Sequence, residues 1–263
     1  MNVSNHKIKI FEDIPEWIKF RKSISNSKSL GIVMTMGALH RGHRTLIERS
    51  KKENDLTVVT IYLNPTQFNN KNDLKNYPST WNDDIDILEA LNVDYLLAPR
   101  YEQIYQDDYK YVVSENDFSK ILCGRARPGH FDGVLTVVMK FLNLAKADRT
   151  YFGEKDYQQF HLIKGMRDAF FIETEIVPCA IAREDDNLAL SSRNKLLTKS
   201  GRKLASSYAG IIRENTDIET IKKKLELNNI KVDYLEERYG RRFAAVFIDG
   251  VRLIDNFDLK EIK

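Results

Sequence analysis

His40 and His43 stand three residues apart in the stretch Thr35-Met36-Gly37-Ala38-Leu39-His40-Arg41-Gly42-His43. If a helix begins there, both imidazoles fall on one face and point together. The run Leu30-Gly31-Ile32-Val33-Met34 before them has the length and apolarity of a strand, and Leu46-Ile47 after them continues as an amphipathic stretch. A strand, a loop and a helix N-terminus in that order present free N–H groups and the positive end of a dipole, which favours a phosphate. Gly37 and Gly42 let such a ligand approach the backbone closely. Two other readings fit the same residues. An H-x-x-H pair is also a zinc pattern, although no Cys and no third His stands near it. Both histidines can also be structural, one capping and one packed.

Other side chains of useful chemistry sit at similar junctions. Gln67 follows the β-branched run Leu56 to Leu63 in Asn64-Pro65-Thr66-Gln67-Phe68. That is the carboxyl end of a buried strand, where an amide donates to a carboxylate and accepts from a hydroxyl. Arg127 lies in a loop dense in glycine and arginine, Gly124 to Gly133, and suits a carboxylate or phosphate held through two N–H groups, while His130 orders the loop. In Gly153-Glu154-Lys155-Asp156-Tyr157-Gln158-Gln159, Lys155 reaches a phosphate as a point charge and Asp156 accepts from a ribose hydroxyl. Ser191, Ser192 and Arg193 place two hydroxyls beside a guanidinium, a trio suited to a departing pyrophosphate or, more simply, to capping a helix. Asp83, Asp84 and Asp86 open a helix predicted over 81–91, behind a turn and N-cap at Tyr77 to Thr80. Carboxylates there compensate the dipole.

The elements that position these groups read as an α/β protein. Strands are predicted at Leu30, Leu56 to Leu63, Val93 to Pro99, Tyr111 to Val113, Thr150 to Gly153 and Ile172 to Pro178, with helices between most of them. The tail changes character. A helix over Ile218 to Leu227 precedes two apolar runs around Asp249-Gly250, a strong hairpin signal. We therefore expect a nucleotide-binding domain over 1–181 and a small α+β domain over 182–263.

Composition sets the class. Of 263 residues, 42% are hydrophobic and 30% charged, as in ordinary globular proteins. Lys plus Arg number 41 against 38 acidic residues, so the net charge of +3 implies no nucleic-acid or membrane partner. Cys123 and Cys179 lack paired spacing, which argues for a reducing, cytoplasmic compartment. No apolar run is long enough to span a membrane, and the N-terminus lacks an apolar signal core.

The pattern His40-Arg41-Gly42-His43 resembles the HIGH signature of adenylate-forming nucleotidyltransferases. The motifs together, T-M-G-A-L-H-R-G-H, N-P-T-Q-F, R-P-G-H-F-D-G-V, Y-F-G-E-K-D-Y-Q-Q, L-A-L-S-S-R-N and the terminal R-L-I-D-N, are similar to those of the pantothenate synthetases, or pantoate:β-alanine ligases, in the same order. The resemblance implies a Rossmann-like, doubly wound parallel sheet, a smaller C-terminal lid, a homodimer and a Mg2+-ATP requirement. It implies ligation of pantoate to β-alanine, with ATP split to AMP and pyrophosphate. Around ATP it places Met36, Gly37, Ala38, Leu39, His40, Arg41, Gly42 and His43, then Gly153, Glu154, Lys155 and Asp156 on the adenosine side. Ala182 also belongs to the nucleotide site, Leu190, Ser191, Ser192 and Arg193 follow at the triphosphate, and catalytic roles fall on His40, His43, Lys155 and Arg193. Gln67 and Gln159 would hold pantoate, with Asn64 and Arg127 beside them, and Asp83 and Asp84 would stand near magnesium. Two departures are visible. Met34 stands where the family usually has Pro, and Asn187 where Gly normally precedes Leu-Ala. An adenylyltransferase acting on a phosphorylated acceptor is the rival reading, and a non-catalytic nucleotide-binding module a third. Neutral amides at Gln67 and Gln159 suit a hydroxy acid better than a phosphate monoester.

Overall fold

The computed structural model describes residues 7–261. In chain order its elements are β1 (Lys9–Phe11), α1 (Ile14–Arg21), β2 (Leu30–Thr35), α2 (Arg41–Glu53), β3 (Leu56–Ile61), α3 (Lys71–Lys75), α4 (Trp81–Ala90), β4 (Tyr95–Leu97) and α5 (Tyr101–Ile104). There follow α6 (Leu122–Ala126), α7 (His130–Ala145), β5 (Arg149–Gly153), α8 (Tyr157–Ala169), β6 (Glu175–Cys179), α9 (Lys199–Ile211) and α10 (Ile218–Leu227). Strands β7 (Lys231–Arg238), β8 (Arg241–Ile248) and β9 (Val251–Asp258) complete the chain.

The first six strands pair in parallel in the order β1-β4-β3-β2-β5-β6. Adjacent residues of each inner strand feed opposite faces, as the period of two requires. Ile32, Val58, Leu97, Phe152 and Ile176 join a core with α1, α7 and α8. Their neighbours Val33, Val59, Leu96, Tyr151 and Val177 pack with Ile47 of α2 and with Ile85 and Leu88 of α4. Helices therefore cover both faces, which is why these strands are almost wholly apolar. The α/β, doubly wound expectation holds. The order reverses between β2 and β5, so the junctions β2-to-α2 and β5-to-α8 stand side by side at the carboxyl ends, where open α/β sheets bind ligands.

Between Cys179, in the first domain's core, and Leu188, in the second's, the chain passes from one core to the other. Strands β7, β8 and β9 form an antiparallel sheet with left-handed pairs at both turns, Tyr239-Gly240 and Asp249-Gly250. One face packs Leu235, Ala244, Val246 and Phe257 against α9 and α10. The other sends Tyr234, Phe243 and Ala245 into the core of the first domain, so the two units are docked.

Three local expectations are corrected. Tyr111 to Val113 is no strand: Tyr111 is 79% exposed, its N–H donates to Asp107 Oδ2, and that of Val113 donates to Thr136 Oγ1. The segment from Gly124 to Gly133 is the end of α6 and the start of α7 with a turn between them, rather than one loop. Thr80 makes no side-chain cap on α4, because its hydroxyl donates to Asp84 Oδ1 instead.

Gly133 sets how close α7 lies to the turn that carries Gln67. A Cβ there would stand 2.5 Å from the Thr66 carbonyl oxygen. Gly133→Ala should therefore force the turn outward and cost about 1–3 kcal/mol, read as a fall in melting temperature of several degrees, of order 2–4 °C per kcal/mol. An unchanged melt would show that the turn yields freely.

Candidate active site

Strand β2 ends at Thr35, whose hydroxyl donates to Thr60 O (2.7 Å) and accepts from Gly37 N–H (3.2 Å). The chain then turns through two left-handed residues, Gly37 (φ 80°) and Ala38 (φ 52°). Beneath them lies Asp84, only 2% exposed. Its carboxylate accepts from Ala38 N–H (2.9 Å), Leu39 N–H (2.7 Å) and the Thr80 hydroxyl (3.2 Å). This corrects the expectation for magnesium. The Asp84 oxygens are taken by the turn they hold, Asp83 is exposed, and neither lines the cleft. Among the described residues no group of three or more His, Cys, Asp or Glu side chains is placed to hold a metal.

The turn delivers His40 to the N-cap of α2. His40 Nδ1 accepts from Gly42 N–H (3.1 Å), and His43 Nδ1 accepts from His40 N–H (3.3 Å), a reciprocal cap. The rings lie 4.1 Å apart between centroids. With both Nδ1 atoms accepting, each neutral ring carries its proton on Nε2. Burial, followed by the charges of Lys155 and Lys195, lowers the His40 pKa from 6.5 to about 4. Burial, then His40 and Lys155, lowers that of His43 to about 3. The histidines are thus neutral N–H donors at physiological pH, in place of the cations that a phosphate-binding pair first suggests.

A cavity of 240 Å³ is lined by Met36, His40, Gly42 and His43, by Gln67 and Gln159, and by Gly153, Ala182, Leu190 and Ser192. A larger one of 780 Å³ opens between the two domains. They share Arg127, His130, Lys155, Asp156, Gln159, Ser191 and Arg193. Of the residues expected around ATP, Gly37, Ala38, Leu39, Arg41 and Glu154 do not line either cavity. Ala38 and Leu39 are buried, with their N–H groups on Asp84. Arg41 instead donates to the Arg183 carbonyl.

Among the described residues Lys155 has one ion pair, to Asp156 at 3.9 Å. Arg193 pairs with Asp73 (3.0 Å), and its guanidinium lies 6.0 Å from the Tyr77 ring centroid. Ser191 caps the turn leading to Arg193 through its own hydroxyl (3.3 Å), and Ser192 Oγ meets Tyr77 Oη at 3.4 Å. The loop that carries them doubles back at Asn187, whose φ of 67° is left-handed, so Asn meets the backbone requirement that Gly usually meets.

Asn64 is fully committed. Its Nδ2 donates to Gln67 Oε1 (3.1 Å) and Gly133 O (3.1 Å), and its Oδ1 accepts from the hydroxyls of Thr66 (2.9 Å) and Tyr105 (2.9 Å). It therefore orients Gln67 and has no group left for a ligand, a correction to the expectation of direct contact. Among the described residues Gln67 Nε2 meets only the weak acceptor Met36 Sδ (3.1 Å). Gln159 makes no side-chain hydrogen bond among the described residues. Arg127 donates to Gln67 O (3.2 Å) and His130 Nε2 (3.3 Å), while His130 Nδ1 donates to the same carbonyl (2.8 Å). Burial, then Arg193 and Arg252, lowers the Arg127 pKa to about 10, and among the described residues it has no ion pair.

Several structural partners here carried no signal of their role in the sequence: Asp84, Asp73, Tyr77 and the pair Arg183–Asp255, two-pronged at 2.7 and 2.9 Å. The terminal R-L-I-D-N motif flagged Asp255 without saying what it does. Chemically, the site offers two N–H donors, an ammonium and a guanidinium to a polyanion, together with two side-chain amides and a guanidinium that has no ion pair among the described residues.

The family profile for pantoate-beta-alanine ligase matches residues 9–258. A pantothenate synthetase of Legionella pneumophila is 50% identical over 250 residues, covering 95% of this chain and 99% of that protein. One of Coxiella burnetii is 48% identical over 255 residues, covering 97% and 98%. The crystal structure of pantoate-beta-alanine ligase from Francisella tularensis, complexed with beta-gamma ATP and beta-alanine, matches with a TM-score of 0.94 at 41% identity, covering 96% of this chain and 98% of that one. Pantothenate synthetase from Thermus thermophilus matches at 0.87 and 32%, covering 96% and 99%. With a sheet whose order reverses above paired histidines, and with relatives matching along nearly their whole length, this chain belongs to the pantoate–β-alanine ligase family.

Proposed function

We propose that the cleft joins pantoate to β-alanine in two steps, with the donors just described assigned to the nucleotide and the amides to pantoate. The observation that carries this reading is the convergence of His40, His43, Lys155 and Arg193 on a cavity that Gln67 and Gln159 also line. In the first step a pantoate carboxylate oxygen attacks the α-phosphorus of ATP. The bond to the bridging oxygen breaks, pyrophosphate leaves with the electron pair, and pantoyl adenylate forms. In the second, the β-alanine amine attacks the acyl carbon, the bond to AMP breaks, and the amine loses its proton as pantothenate forms.

The first step brings two anions together, so donors that strengthen as charge develops dominate it. His40 and His43 donate through Nε2–H to phosphate oxygens, and Lys155 and Arg193 supply fixed positive charge. Neutral imidazoles add directionality without drawing the incoming carboxylate to the wrong partner. Gln67 Nε2 and Gln159 hold the hydroxyls and carboxylate of pantoate, and buried Arg127 takes a substrate carboxylate. Holding both reactants replaces an encounter in solution. The cysteines are buried and play no part as nucleophiles. Mg2+ bound with the nucleotide would offset the negative charge of its phosphates, as suits an ion that rarely sits in an all-protein cage. A homodimer in the cytoplasm completes the proposal, with the modest net charge supporting the absence of a nucleic-acid partner. No described helix is long and apolar enough to cross a membrane.

Two kinds of outcome are expected, one in catalysis and a second in stability. With ATP, Mg2+, pantoate and β-alanine, purified protein should form AMP and pantothenate in equal amounts. Gln67→Ala should raise KM for pantoate roughly ten- to a hundredfold, the cost of one unmatched buried polar group, and leave KM for ATP near the original value. Equal effects on both substrates would remove Gln67 from the pantoate site.

The second outcome concerns acid. The unfolded chain protonates its histidines near 6.5, whereas the fold holds His40 at about 4 and His43 and His130 at about 3. Between these values the unfolded state binds more protons. Stability should therefore fall as the pH drops below about 6.5, by about 1.4 kcal/mol per pH unit for each histidine, levelling near the folded pKa. Denaturant titrations between pH 7 and pH 4 would show it. A His130→Gln variant with an equally steep fall would exclude that residue.

A further inference from the structure

We propose that Asn256 is a positioning residue for Lys155, through which the last strand of the C-terminal domain sets the geometry of adenylate formation. The inference rests on the assignment of Lys155 to the phosphates made above. Asn256 lies in β9 and is 2% exposed. Its Nδ2 donates to two carbonyls of the other domain, Glu154 O (2.9 Å) and Lys155 O (2.9 Å). These oxygens belong to the peptide planes on either side of the Lys155 Cα. Tying both planes fixes the φ and ψ of Lys155, and hence the direction in which its side chain leaves the backbone. Among the described residues the side chain has little else to hold it, since its one ion pair there, to Asp156, is at 3.9 Å.

The amide cannot turn over without loss. Arg241 donates to Asn256 Oδ1 from Nε (3.1 Å) and from Nη2 (2.7 Å). A flipped amide would set its NH2 group against the guanidinium and its oxygen against two carbonyl oxygens. The Arg241 guanidinium also lies 4.5 Å from the Tyr157 ring centroid, so it braces the far end of the same turn. The backbone of Asn256 is equally bound. Its N–H donates to Asp255 Oδ1 (2.8 Å), and its carbonyl accepts from Arg183 Nη2 (3.2 Å). Arg183 in turn accepts from Arg41 of α2 through its own carbonyl. One strand end thus registers the Lys155 turn, the loop leading to Arg193 and the helix bearing His43.

The test is a double-mutant cycle. Asn256→Asp keeps the shape and the Arg241 contact but turns an oxygen toward the two carbonyls. It should lower kcat for pantoate-dependent AMP formation by roughly ten- to a hundredfold, the cost of about 1 Å of misplacement, with KM for pantoate little changed. In a Lys155→Ala background the same substitution should cost no more than about twofold, because residues that act as one unit are not additive. Losses that multiply in the double variant, or a wild-type kcat in Asn256→Asp, would overturn the inference. A wild-type kcat in Lys155→Ala would instead refute the assignment of Lys155 itself. If Asn256→Asp fails to fold by near-ultraviolet circular dichroism, Arg241→Gln frees the amide to rotate. It should lower kcat roughly two- to tenfold and, likewise, have almost no effect without Lys155. Multiplying losses in that cycle would also overturn the inference.

Discussion

The pairing of β2 with β5 is the constraint on which the site depends. In a parallel sheet every strand ends on the same side, and only where the order reverses do neighbouring junctions diverge to leave a crevice. Gly31 opposite Arg149 and Ile32 opposite Thr150 fix that register. It brings the histidine turn beside the Lys155 turn, although the two are more than a hundred residues apart in sequence. The C-terminal sheet then closes the crevice from above. Tyr234, Phe243 and Ala245 anchor it in the apolar core, and Asn256 attaches it to the Lys155 backbone.

The electrostatic design separates fixed charge from directed donors. Arginine stays charged in any protein environment, whereas a buried imidazole surrounded by cations loses its proton. Placing His40 and His43 between Lys155 and their own backbone caps keeps them neutral and orients Nε2–H outward. Asp84 shows the same economy. A buried carboxylate is costly unless it is met by donors, and the three it meets are the amides and hydroxyl that shape the turn.

What was legible in the sequence was local. The strand runs, the glycine at the first turn and the Asp249-Gly250 hairpin are short-range signals, and each took the form its residues dictate. The order of the motifs was enough to expect the fold and the reaction. What failed depended on distant partners. Tyr111 to Val113 has strand residues but no neighbouring strand to pair with, so side chains took its amides. The acidic pair at 83–84 looked like metal ligands because nothing in the sequence shows that Asp84 lies under residues 46 and 45 positions earlier. Asn64 looked free for the same reason, since Gly133 and Tyr105, two of the partners that saturate it, are far along the chain. Asn187 went the other way: its departure from the family's Gly leaves the turn intact, because its φ of 67° is a left-handed backbone that Asn tolerates.

The central claim is that pantoate is activated before β-alanine takes part. Its direct test is the exchange of labelled pyrophosphate into ATP, with enzyme, Mg2+ and pantoate present and β-alanine withheld. The account predicts exchange that requires pantoate and that survives replacement of Cys123 and Cys179 by serine, since no enzyme-bound acyl group is involved. Exchange that appeared only on addition of β-alanine, or that proceeded without pantoate, would contradict it.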